Sequence, residues 1–304
     1  MSKRDDIYAT VTNRIVAELE AGSVPWVQPW TGSAGTAAIG LPQNATTGRS
    51  YSGINILLLW GAVAAEHYPR QAWLTFKQAL ELGGHVRKGE RGTTVVYASR
   101  FIPKGQQAQA RETGEEPRGV PFLKAYTVFN VAQCDGLPEE LQHDGPPADT
   151  ALILPEVEDL IRATGADFQV GGDRAFYGVG PDFVQVPPPQ AYFKPLDWHR
   201  TALHELTHWT GSPRRLARDQ AGSFGSVRYA HEELVAEMGA AFTCSVLGIQ
   251  PSVRHADYIA SWLSVIREDP RAIFRAASAA SKAADYLLDL RSTGSVATDT
   301  AAAA

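Results

Sequence analysis

Cysteine is nearly missing from this chain: Cys134 and Cys244 are the only two in 304 residues. That excludes a disulfide framework and a cysteine zinc site, and leaves both thiols as bystanders. Long apolar runs are missing too. Met1 to Asp6 lead straight into a polar amphipathic segment rather than a secretory signal. A cytoplasmic protein without a membrane span is therefore expected. Nor is there a strong excess of one charge, since 28 Lys/Arg stand against 33 Asp/Glu for a formal net charge of −5. A protein that mimics DNA needs dense negative charge, so this balance argues against that class. No internal repeat is visible. What is present is 44% hydrophobic residues, enough for real cores and, at this length, for two domains of ordinary size.

The stretch that carries most chemistry is His204-Glu205-Leu206-Thr207-His208. On a helix, residues four apart share a face, so His204 and His208 can offer imidazole nitrogens to one ion. Glu205 follows the first histidine, where its carboxylate can act as a base without ligating. A zinc-type Lewis acid lowers the pKa of water towards neutrality, and the glutamate takes the proton as that water attacks a carbonyl. Five residues alone also fit a helix with two solvated histidines, but the flanks support a capped helix. Asp197 is the expected N-cap, Trp198, Ala202, Leu203 and Leu206 supply apolar positions, and Gly211 with Pro213 ends the run. The position where a metzincin would place its third histidine is Arg214, which argues against that class.

A third ligand is expected from the next helical segment, Ala230 to Leu247. Glu233 is the choice, with Glu232 and His231 as competitors that periodicity does not exclude. Glu237 lies one turn on, within an apolar stretch, and is expected to orient a ligating histidine. Two histidines and a glutamate with an open position form a hydrolytic donor set, for Zn2+ or another divalent ion such as Mn2+. Residues 175–180 and 182–187 resemble two short strands, the second stopped by Pro187-Pro188-Pro189. They are the candidate edge hairpin that would hold a substrate backbone, or else an ordinary cover for the core. His255 and Tyr258 could help polarise a carbonyl, although a helix surface is the plainer place for both.

The first half is neutral overall, but residues 49–104 hold eight basic side chains against Glu66, Glu81 and Glu90. Aromatic residues are interleaved with them. Cations that follow phosphates and rings that stack bases are the make-up of a single-stranded nucleic acid site. Arg49, Tyr51, Trp73, Phe76, Lys77, Arg87, Lys88 and Arg91 are the candidate contacts, against the plainer reading of the rings as core. Helices are expected at Asp6–Glu20, Ser52–Ala65 and Thr75–Leu82, and strands at Thr93–Phe101 and Ala125–Val131. Turn-rich sequence between Cys134 and Thr150 marks a boundary, giving domains 1–145 and 146–304.

Several segments together resemble the ArdC-type antirestriction proteins. They are Val11–Ile15 (VTNRI), Pro25–Trp30 (PWVQPW), Asn44–Asn55 (NATTGRSYSGIN), Trp73–Gln78 (WLTFKQ), Val86–Glu90 (VRKGE) and Val128–Gly136 (VFNVAQCDG). The same half is similar to the start of TraC-type plasmid primases. The second half, through His204–His208 and Glu232–Glu237 (EELVAE), resembles that family's zincin-like metallopeptidase domain. The pattern of helices and strands predicts an α+β fold of two domains, an N-terminal mixed domain with a small antiparallel sheet and a mainly helical one with a short edge hairpin, and the resemblance implies that the second is zincin-like. It also implies binding of single-stranded DNA and protection of an incoming strand from host restriction, while the hydrolytic donor set makes a protein substrate of the host restriction system a candidate partner. The family's ligand positions fall on His204, His208 and Glu233, with Glu205 as the base.

Overall fold

Val11, Ile15 and Leu19 recur every four residues, so helix α1 (Lys3–Glu20) buries one apolar stripe. The computed structural model describes residues 3–22, 24–26, 40–102, 120–141, 154–192, 194–223, 226–250 and 259–302. Helix α2 (Ile54–Glu66) is apolar almost all round and correspondingly buried, and it ends at His67 in the left-handed region. Helix α3 (Phe76–Glu81) starts with a capping box, in which Thr75 accepts from the Gln78 amide and Gln78 accepts from that of Thr75.

Strands β1 (Gln43–Asn44), β2 (Ala72–Leu74), β4 (Thr93–Phe101) and β5 (Val120–Asn130) form a sheet in the order β1-β2-β5-β4. Strands β4 and β5 pair antiparallel from Thr93↔Val128 to Phe101↔Val120, while β1 and β2 run parallel. Strand β5 thus begins five residues before the expected Ala125. A separate two-stranded pair joins β3 (His85–Val86) to β6 (Cys134–Asp135). The outer edge of β4 is met by Asn55 at the start of α2. Its amide donates to the Val96 carbonyl (2.9 Å), and its oxygen accepts from the Val96 N–H (2.7 Å). That side chain pairs backbone groups an edge strand would otherwise leave open.

After helix α4 (Pro155–Thr164) come β7 (Asp167–Val170), β8 (Phe176–Gly178) and β9 (Phe183–Val186), in the order β7-β9-β8. The hairpin of β8 and β9 forms where its pattern predicts, but β9 is the central strand and β8 alone is the edge on that side. Strand β7 alternates Phe168 and Val170 with Asp167 and Gln169, but over four residues only, which is too short to mark a strand by itself. Helices α5 (Pro195–Thr210), α6 (Val227–Val246), α7 (Ile259–Glu268) and α8 (Ala272–Ala302) complete the second half. Helix α5 is not capped by Asp197. Lys194 is the N-cap and Pro195 opens the first turn, where a fixed φ and a missing N–H cost nothing. Asp197 instead sits in the first turn, paired with Arg200 at 2.6 Å. Among the described residues no helix is long and apolar enough to cross a membrane. Most of the boundary region, His255 and Tyr258 lie outside the described residues.

The two halves share buried surface. Val11, Ile15, Ile56, Leu57 and Trp60 belong to one cluster with Leu234, Met238, Phe242, Trp262 and Ile273. The Trp60 ring meets Phe242 edge-on at 5.7 Å, and Trp26 meets Trp262 at 5.4 Å. Thr12 donates to the Pro270 carbonyl, and the Gly53 N–H donates to Ser281 Oγ. Trp60→Ala should therefore cost about 3–5 kcal/mol and lower the single melting transition of the whole chain. A calorimetric trace in which the second half melts at its original temperature would contradict this common core.

Candidate metal centre

Helices α5 and α6 approach closely because α6 offers Gly239 opposite Thr207, itself inside the histidine motif. A Cβ built at Gly239 would lie 2.6 Å from Thr207 Cγ2. Thr207 is fully buried and donates back to the Leu203 carbonyl. Leu203, Leu206 and Trp209 seal the other flank of α5 against Val184, Val186 and Leu287. The motif face is left looking at α6.

Across that seam Glu233 lies between the two histidines. Its oxygens are 3.6 Å from His204 Nε2 and 3.4 Å from His208 Nε2. Donors about 2.1 Å from a tetrahedral ion lie about 3.4 Å apart, so these separations are what such a coordination sphere requires. One ligand atom from each of His204, His208 and Glu233 lies within 4.8 Å of the others. The remaining imidazole nitrogens face outwards to two more carboxylates. His204 Nδ1 is 3.6 Å from Glu237 and His208 Nδ1 is 3.2 Å from Glu232. Each histidine is thus held by one carboxylate behind it and turned towards a shared one in front. The donor set fits a divalent cation.

Glu232, a competitor for third ligand by sequence, takes the orienting place behind His208. It also receives Arg218, which donates to both its oxygens at 3.0 and 2.8 Å, and Gln220 at 3.2 Å. Burial opposes the Glu232 charge, but His208 and Arg218 outweigh it and hold the pKa at about 2. Burial likewise opposes charge on Glu233, and the two histidines keep it well below the ordinary carboxylate range. His208 is buried, yet Glu232 and Glu233 push its pKa up to about 10. A cation between these groups takes the place of the proton the carboxylates attract. His231 is only partly buried and its pKa is lowered by burial.

The seam opens into a cleft of about 290 Å³, lined in part by His204, Glu205, His208, Glu233 and Tyr229. Edge strand β8 forms the opposite wall with Phe176 and Tyr177. Arg215 fastens that wall to the end of α5. It donates to Asp182 and to the Tyr177 hydroxyl (3.2 Å), and to the Trp209 carbonyl (2.6 Å), and it stacks 3.9 Å from the Trp209 ring centre. Tyr177 in turn donates to Asp182 at 2.8 Å.

The chain matches the model for the N-terminal domain of the anti-restriction factor ArdC over residues 5–129, and a zincin-like metallopeptidase model over residues 155–279. It is also similar to the crystal structure of antirestriction ArdC from plasmid R388 in its metal-free form. The identity is 39%, the TM-score 0.80, and the match covers 95% of this chain and 98% of that one. The chain belongs to the ArdC antirestriction family. The Mn(II)-bound structure of the R388 protein matches at 38% identity and a TM-score of 0.77, over 93% and 97% of the two chains. A Sinorhizobium fredii relative, the uncharacterised protein y4eC, is 39% identical over 93% of this chain and 91% of its own. An Escherichia coli DNA primase, TraC, is 37% identical over 91% of this chain, which spans only 26% of that primase.

Beyond the metal centre, the candidate DNA residues scatter. Trp73 is fully buried, against Leu59, Val63 and Val128, and is core rather than a stacking platform. Tyr51 is half-buried against the same cluster. Arg87 is taken up by Glu90 (2.6 Å), the Ala132 carbonyl (2.7 Å) and Asp135 (3.4 Å), which makes it a brace for its own turn. Phe76 and Lys77 are exposed on α3, Lys77 beside Glu81 at 3.3 Å. Arg49, Lys88 and Arg91 are exposed. Sequence reasoning passed over Tyr229, Arg228 and Arg218. Tyr229 lies four residues before Glu233 and Arg228 four before Glu232, so helical spacing from the chosen ligand carried that signal.

Arg218→Met should leave the fold intact while weakening divalent-metal affinity about 10- to 100-fold, because it frees the carboxylate behind His208. Calorimetric titration with Mn2+ and Zn2+ checks this, and an unchanged affinity would reduce Arg218 to a loop tie.

Proposed function

We propose that this chain is a single-stranded DNA-binding antirestriction protein of mobile DNA whose second half, about residues 146–304, is a metal-dependent peptidase. The observation that carries the peptidase reading is the Glu233 carboxylate at 3.4 and 3.6 Å from two inward-facing imidazoles, with Glu205 in the same cleft. His204, His208 and Glu233 hold the ion and Glu237 steadies His204. Zn2+ suits the nitrogen and carboxylate donors, and the Mn(II)-bound relative supports Mn2+ as well. When bound, the divalent ion supplies Lewis-acid polarisation of a carbonyl and of the attacking water.

The chain's own residues supply the rest. Glu205, next to the ligand His204, takes the proton from the attacking water and passes it to the leaving amine. Among the described residues β8 pairs with β9 alone, so its other edge can take an extended substrate backbone. Tyr229 and Arg228, at the cleft rim in the first turn of α6, provide a phenol and a guanidinium to meet developing charge on the carbonyl oxygen. The first half, about residues 1–145, binds the unpaired strand and brings the cleft to a protein of the host restriction system. Protection of incoming DNA then combines shielding with selective hydrolysis.

Glu205→Gln should cut peptide hydrolysis by about 10²- to 10⁴-fold, the usual contribution of a positioned base, while metal content by elemental analysis stays at the wild-type level. Continued cleavage by that variant would remove Glu205 from the mechanism. Full protection of transferred DNA by the same variant in a conjugation assay would show that shielding alone suffices.

A further inference from the structure

The β4–β5 hairpin carries a row of rings that the candidate DNA residues do not include. Tyr97 stands opposite Lys124 in the register, and Phe122 and Tyr126 lie two residues to either side of Lys124. Alternation along a strand puts all four on one face. The Tyr97 ring centre is 6.1 Å from that of Phe122 and 6.3 Å from that of Tyr126, with the planes steeply inclined. Tyr97 is 52% exposed and Tyr126 45%. The Lys124 ammonium lies over the Phe122 ring at 5.9 Å.

This face is firmly based. At the root of the hairpin, Val95 and Val128 on the same face are buried against Leu59, Ala62 and Val63 of α2. On the opposite face Val96 and Leu123 join the core shared by both halves. The rings begin where that cover ends. Phe122 to Tyr126 spans about 14 Å of strand, with Tyr97 filling the middle.

We propose that this face is the stacking platform for unpaired nucleic acid, two or three bases lying on Phe122, Tyr97 and Tyr126 while Lys124 meets a phosphate. The proposal rests on the single-stranded DNA reading above and assigns that reading its surface. Charge selects the occupant: Lys124 is the one charged residue that the register of β4 and β5 puts on this face, and neither strand has a carboxylate, in a chain of net −5. Size selects it as well. Two half-exposed tyrosines and the more covered Phe122 offer roughly 250 Å² of apolar surface, well short of the roughly 800 Å² per partner of a stable protein interface. Base stacking on a few rings with phosphate pairing needs no more.

The test is fluorescence anisotropy of labelled oligo(dT) titrated with the full chain over a series of salt concentrations. The double variant Tyr97→Ala with Tyr126→Ala should bind about ten-fold or more weakly with an unchanged salt slope, because rings are lost and phosphate contacts are not. Tyr97→Phe with Tyr126→Phe keeps the rings and should restore affinity. Lys124→Ala should instead lower the salt slope by about one. If the wild type binds the oligonucleotide and the double alanine variant binds equally well, the platform is elsewhere and the DNA-binding reading survives. If the wild type shows no salt-dependent binding, that reading fails and the platform with it. If light scattering shows that the alanine pair changes the oligomeric state of the DNA-free protein while strand affinity holds, the face is a self-contact and the proposal falls.

Discussion

Everything in the second half is arranged around a concentration of charge that burial would otherwise forbid. Glu232, Glu233 and Glu237 lie within six residues on one helix, all nearly out of solvent, opposite the buried His204 and the largely covered His208. Isolated carboxylates in such a place would carry a heavy desolvation cost. They are tolerated because each has an assigned counterpart: Glu233 both imidazoles, Glu237 one, Glu232 the other plus Arg218. The cost of the cluster also makes it specific, since few other ways of packing α5 on α6 would satisfy every charge.

The glutamate helix does not face the histidines alone. Its Leu234, Met238 and Phe242 enter the core built with α1 and α2. The side that positions metal donors is therefore backed by the half of the chain proposed to handle DNA. The same helix thus carries both Glu233 and the side chains that build that core. The two family models divide the chain in sequence, while its largest hydrophobic cluster joins those parts in space.

Much of the metal site could be read from the chain because it depends on local periodicity. Histidines four apart and a glutamate one turn from an acidic partner fix a face before any tertiary contact is known. The role of Glu232 could not be read that way, because it depends on Arg218 returning across a loop. Strand β7 alternates polar and apolar residues over only four positions, too few to stand out, and Pro195 displaced the expected cap by three residues. In the first half, the segments that resemble the family work as scaffold. Asn44 takes N–H donors from its own turn, Asn55 clamps β4, Gln78 closes a capping box, and Gln133 donates to Glu90 and the Arg91 carbonyl. A motif rich in polar side chains reads as a binding surface until its hydrogen bonds are traced inwards. The exposed rings of the hairpin belonged to no motif, and one-dimensional composition ranked them with the buried Trp73.

Arg215 and Arg218 stand three residues apart in one loop, the first gripping the edge-strand wall and the second the glutamate helix. Both sides of the cleft are thus tied to a single short loop. Under the peptidase proposed above, a polypeptide would reach Glu205 only as an extended segment laid between those two tied walls.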